Sequence, residues 1–99
     1  MNGIRAIHPG EILKDELDEL SLSASAIAKA LDVPASRITT ILKGQRGITA
    51  DTALRLAKFF GTTPDFWMNL QSSYDVKIAR EAVGQEIERN VKPRELLAA

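Results

Sequence analysis

The sequence predicts an all-α fold, a bundle of five to six helices. Three observations carry that prediction. Every apolar periodicity along the chain is helical, and no stretch alternates polar and apolar residues as a half-buried strand would. Proline, glycine and hydroxyl residues fall between the periodic stretches, where helices start and stop. The 99 residues, 44% apolar and 26% charged, have the size and composition of one globular domain.

The elements follow in order. Pro9 suits a first helical turn and Glu11 complements its dipole. Leu13, Leu17 and Leu20 then recur at i, i+4 and i+7 with Ile12 beside them, opposite an acidic face of Glu11, Asp15, Glu16, Asp18 and Glu19. Ser21 and Ser23 interrupt the pattern. Ser25 is expected to cap a short second helix through Leu31, burying Ile27, Ala28 and Leu31. Asp32-Val33-Pro34 breaks it, because the residue before proline is driven out of the helical region. A third helix is expected from about Pro34 to Lys43, ended by Gly44. After the loop Gln45 to Ile48, Thr49 reads as a cap, Asp51 as a first-turn acid and Gly61 as the close of a fourth helix. Its apolar side is broad: Ala53, Leu54, Leu56, Ala57, Phe59 and Phe60.

Thr63-Pro64-Asp65 starts a fifth helix carrying Trp67, Leu70 and Tyr74. The pattern pauses at Ser72-Ser73 and resumes with Val76, Ile78, Ala79, Ala82, Val83, Ile87 and Val91, weakened by Gly84. Pro93 is expected to end it. The expected organisation is therefore a main domain over 1–75, a C-terminal helix over 76–92 for dimerisation or partner contact, and a flexible tail over 93–99.

Composition excludes several chemistries. The chain has no cysteine, which removes disulfides, thiolate zinc sites and thiol catalysis, and fits a cytoplasmic location. Its one histidine cannot build a multi-histidine metal site. No apolar run is long enough for a membrane span, and the opening Met-Asn-Gly-Ile-Arg does not read as a signal peptide. His8 with Glu11 has the spacing of a metal pair but no third ligand, and reads as a helix start. Phe66 and Trp67 read as core packing. Asp65 and Asp75 have no acid–base partners, and Ser21, Ser23 and Ser25 have no neighbouring base, so no enzyme and no cofactor are expected.

Charge is unevenly spread. The 13 basic and 13 acidic residues cancel, yet residues 22–58 hold Lys29, Arg37, Lys43, Arg46, Arg55 and Lys58 against only Asp32 and Asp51. Residues 25–43 have the layout of two short helices joined by a tight turn. At about 100° per residue, Ile38, Ile41 and Leu42 share the core side of the third helix. Ser36, Thr40 and Lys43 lie opposite, flanked by Arg37 and Thr39, and the strip holds no carboxylate. Such a face fits the major groove of duplex DNA, where Arg and Lys reach guanine or phosphate and hydroxyls reach base edges. Each residue also has a plainer role open to it. Lys43 and Arg46 can be solvated or bind phosphate only, and Arg37 can pair with an acid on a neighbouring helix.

The stretch from Leu22 to Gly44 resembles the helix-turn-helix of phage-repressor/Cro-like (XRE) proteins. His8-Pro9-Gly10-Glu11-Ile12-Leu13, Gly44 to Ala57 and Phe60 to Gln71 (with Phe66-Trp67-Met68-Asn69-Leu70-Gln71) together resemble the HigA-type antitoxins over roughly residues 7–80. The resemblance implies a lambda-repressor-like domain that forms a homodimer, binds a palindromic operator in its own promoter and neutralises a HigB-like mRNA-cleaving toxin. It implies that Ala35, Ser36, Arg37, Thr39 and Thr40 read bases and that Lys43 lies near phosphate. Ala24 stands where many phage-type repressors clamp a phosphate with glutamine, leaving Ser25, helix-start amides and Arg46 as candidate clamps. Asp32 stands at the turn position usually held by glycine. A transcription regulator with no toxin partner, and a protein-only interaction module, are the competing readings.

Overall fold

The structure, a computed structural model, describes residues 5–97. The outer ends of the expected main domain and tail, residues 1–4 and 98–99, lie outside the described residues, as do the first four residues of the segment read as no signal peptide. Among the described residues six helices follow in order: α1 Pro9–Glu19, α2 Ala24–Leu31, α3 Ala35–Leu42, α4 Ala50–Phe60, α5 Pro64–Asn90 and α6 Arg94–Leu97. Among the described residues there is no strand.

Local chemistry sets most boundaries. His8 caps α1: its Nδ1 accepts the Gly10 N–H at 2.9 Å, while the Glu11 carboxylate accepts the His8 N–H at 3.2 Å. This is a capping box built on an imidazole, with Pro9 at the first helical position. Thr49 caps α4 and Thr63 caps α5 as their sequences predict. Asp32 takes the left-handed conformation (φ 59, ψ 50) expected at the turn between α2 and α3. Gly44 and Gly61, with φ of 74 and 72, follow α3 and α4.

Five expectations need correction. Phe66, read with Trp67 as core packing, is 43% exposed while Trp67 is buried. The cap of α2 is Ser23, whose Oγ accepts the Ala26 N–H at 3.0 Å, and Ser25 is inside the first turn. Starting two residues earlier lets Leu22 and Ala24 pack against the core. Leu20 does not extend the buried stripe of α1; it sits at the C-cap and is half exposed, and Leu22 packs against the core instead. The broad apolar side of α4 divides. Ala53, Leu56 and Ala57 are buried while Leu54 is 59% exposed. Ser72-Ser73 is no break, because α5 runs through it unbroken and the Ser72 hydroxyl bonds back to the Asn69 carbonyl.

One core holds α1 to α5 together. Leu13, Leu17, Ile27, Leu31, Ile38, Ile41, Leu56 and Trp67 are its large members, with Ile48 entering from the loop after α3. Two close approaches fix how α3 sits in it. At Gly10 an added Cβ would lie 2.0 Å from the Ile41 carbonyl oxygen, so α1 and α3 meet there backbone to backbone. At Gly47 a Cβ would lie 2.8 Å from the Gln71 side chain. At Gly10, where the obstacle is backbone, only a residue without a side chain allows the approach; at Gly47 the obstacle is the end of the Gln71 side chain.

The second half of α5 leaves this core. Beyond Asp75 to the end of the helix, every residue but Lys77 and Gly84 is exposed. With 27 residues α5 is about 40 Å long, and the molecule extends 58 Å along its longest axis against 26 and 21 Å across it. No helix among the described residues is long and apolar enough to cross a membrane.

Candidate nucleic-acid interface

The outward side of α3 is built by its inward side. Ile38 and Ile41 have no exposure at all, which fixes the rotation of the helix about its axis. Ala35, Ser36 and Lys43 are then exposed, and Thr39 and Thr40 are half-buried at the edges. Arg46 is exposed in the following loop. These residues form one continuous strip. Ser25 is exposed in the first turn of α2 and belongs to a separate helix.

The two threonine hydroxyls on the strip are already donating. Thr40 Oγ1 gives its proton to the helix, lying 2.7 Å from the Ser36 carbonyl and 3.2 Å from that of Arg37. Thr39 Oγ1 likewise lies 3.3 Å from the Ser36 carbonyl. Each hydroxyl therefore keeps only lone pairs for an outside group, which suits the amino groups of adenine or cytosine. The start of α3 has no side-chain cap, and although the Arg37 N–H donates to the Pro34 carbonyl, the Ala35 and Ser36 amides remain available there for an anion.

Arg37 is not a free reader in this structure. Its guanidinium lies 2.6 Å from Asp51 at the start of α4, and its side chain is 28% exposed. The pairing with a neighbouring acid, open from the sequence, is thus present. Asp51 also accepts from Arg55 Nε at 2.8 Å, and Arg55 Nη1 reaches the Leu31 and Asp32 carbonyls at 2.9 and 3.2 Å. Arg55 first and Arg37 second hold the Asp51 carboxyl below its ordinary range, and Asp51 raises Arg55 in return. The cluster ties the end of α2, the start of α3 and the start of α4 at the turn that defines the motif.

Sequence reasoning missed the residues that position this strip. Gln71 accepts the Ile48 N–H at 2.6 Å through Oε1 and donates to Asp75 at 2.9 Å through Nε2, so α5 holds the loop that carries Arg46. Gly10 sets the approach of α1 to α3, and Arg55 stitches the turn. Only Arg55 had a local signal, its position one helical turn after Asp51. His8 packs edge-on against Tyr74, with ring centroids 4.9 Å apart, and serves structure; no group of metal-ligating side chains occurs among the described residues.

A basic, acid-free helix face set on a tight two-helix turn is the architecture of a helix-turn-helix DNA-binding protein. Comparison with known proteins agrees and goes further. Residues 13–67 match the family model described as helix-turn-helix. The chain is 56% identical over 81 residues to the virulence-associated protein I of Dichelobacter nodosus, covering 81% of this chain and 75% of that one. A Coxiella burnetii structure described as an addiction module antidote protein of a HigA family superposes with a TM-score of 0.90 at 59% identity, over 91% of this chain and 99% of that chain. The Pseudomonas aeruginosa antitoxin HigA, solved with the higBA promoter, superposes at 0.88 and 50% identity over 90% and 98%. The chain belongs to the helix-turn-helix family and, within it, to the HigA-type antitoxins. Of these relatives, the Pseudomonas aeruginosa protein is an antitoxin solved with promoter DNA.

Proposed function

We propose that this protein is a cytoplasmic, sequence-specific autorepressor and the antitoxin of a type II toxin–antitoxin pair, neutralising a HigB-like mRNA-cleaving toxin. The observation that carries the DNA half is the strip of Ala35, Ser36, Thr39, Thr40 and Lys43 on α3, continued by Arg46 and free of carboxylates. Ser36, Thr39 and Thr40 read base edges, Arg37 reaches the duplex from the flank, and Lys43, Arg46 and Ser25 contact phosphate. The similarity to an antitoxin solved with a promoter supports the same reading.

The protein acts as a homodimer. Val76, Val83 and Ile87 recur on one stripe of the free half of α5 and are 51%, 39% and 50% exposed. A two-fold partner covering that stripe would remove it from water. A symmetric dimer sets its recognition helices one helical turn of DNA apart, about 34–36 Å, on a palindromic operator.

The deciding experiment is a titration of the purified protein against the duplex immediately upstream of its own coding sequence at several salt concentrations. Wild type binds with affinity that falls steeply with salt, as neutralising phosphates requires. The double variant Arg37→Ala/Lys43→Ala binds weakly, and its log–log salt slope falls by about one for each phosphate it no longer neutralises. Unchanged binding by that folded variant would reject the α3 face. Co-purification with the product of the adjacent gene tests the toxin.

A further inference from the structure

Arg37 and Arg55 share one carboxylate oxygen, but on unequal terms. Arg55 is held three ways, by Asp51 Oδ1 and by the Leu31 and Asp32 carbonyls. Among the described residues the Arg37 side chain has one hydrogen-bond acceptor, the same Asp51 Oδ1. If Arg37 leaves, Asp51 keeps Arg55 and is not orphaned. Nor does α3 loosen, because its seat is fixed by fully buried Ile38 and Ile41 and by the backbone contact at Gly10. The side chain of Asp51 is 57% exposed, so the pair is a surface pair and a weak one. A phosphate oxygen accepts the same charge-assisted hydrogen bond from a guanidinium as a carboxylate oxygen does.

We infer that Asp51 is an intramolecular stand-in for a DNA phosphate, which holds Arg37 in the free protein and is displaced from it when the duplex docks. The inference rests on the DNA-binding reading and deepens it. Asp51 then acts as a brake on affinity, since every binding event must first break the Arg37–Asp51 pair. Of the two acids in the basic segment 22–58, Asp51 is the one that accepts a hydrogen bond from a cation of the candidate strip. Asp32 faces a different cation, its backbone carbonyl accepting from Arg55.

The test is a fluorescence-anisotropy cycle with wild type, Asp51→Asn, Arg37→Ala and the double variant, with Asp32→Asn as the charge control. Two probes are used, the upstream duplex and a random-sequence duplex of equal length at low salt. Asp51→Asn is expected to tighten binding about two- to fivefold, the range of an exposed ion pair. In the Arg37→Ala background the same substitution should do nothing beyond the shift caused by Asp32→Asn, which removes an equal charge without touching Arg37. Weaker binding by Asp51→Asn would mean that the pair positions α3, and would overturn the inference. Tightening that persists in full without Arg37 would overturn it too, as would no change. If wild type binds neither duplex, the DNA-binding reading itself fails and takes this one with it.

Discussion

Gly10 makes the tightest approach of the glycines among the described residues, and Gly10→Ala measures it. The new Cβ would sit 2.0 Å from the Ile41 carbonyl oxygen, a full ångström inside the 3.0 Å that real Cβ atoms respect. Both sides of the contact are backbone, so no side chain can turn away. Alanine gains about 0.5–1 kcal/mol over glycine within a helix. Overpacking costs about 1–3 kcal/mol, and a backbone obstacle belongs at the top of that range. The net loss is about 2 kcal/mol. For a domain of this size that lowers the melting temperature by roughly 8–16 °C. The assay is thermal unfolding followed by circular dichroism at one fixed protein concentration, since a dimer's melting point moves with concentration. Adding Ile41→Val must not restore stability, because the obstacle is the carbonyl and not the side chain. A Gly10→Ala protein as stable as wild type, or one rescued by trimming Ile41, would refute the reasoning.

Three further outcomes are expected. The Arg5 hydrogen bond, then the His8 N–H, hold the Glu11 carboxyl down to about 2 from an ordinary 4.5. A carboxyl depressed in the folded state adds stability above its unfolded value and loses it as pH falls, here from 4.5 toward about 2. Asp51 acts in the same direction; Glu11→Gln should flatten that acid limb in melting temperature against pH. Gln71→Ala leaves the Ile48 N–H without its acceptor, costing about 1–2 kcal/mol in urea unfolding and weakening DNA binding through the loosened loop. Val83→Asp with Ile87→Asp, both outside the core, should convert dimer to monomer in sedimentation while the helical signal stays unchanged.

What the sequence made legible was local. Thr49, Thr63-Pro64, Asp32 and Gly44 each act on the residues beside them, and each sits where its chemistry predicted. The inward side of α3 was equally readable, because 3.6-residue periodicity is a local property. Two of the misreadings turned on serine. Three serines at 21, 23 and 25 offered the same capping hydroxyl, and the choice was made by Leu22 and Ala24 packing on the core. Ser72-Ser73 looked like punctuation, but a helix interior accepts serine when its hydroxyl bonds back. The positioning residues were hidden for a different reason. Gln71 meets Ile48 across 23 positions and Arg55 meets Leu31 across 24, distances at which one sequence carries no pairing signal.

Finally, the unbroken run of α5 ties together two tasks that a hinge would have separated. Near its start the helix grips, through Gln71, the loop beside the strip proposed to face DNA; toward its end it offers a bare apolar stripe. Whatever seizes that stripe takes hold of a stiff rod whose other end is bolted to the reading head. Two chains joined there would hold their reading heads at a pitch set by rigid geometry, with no slack for a mis-spaced site to exploit.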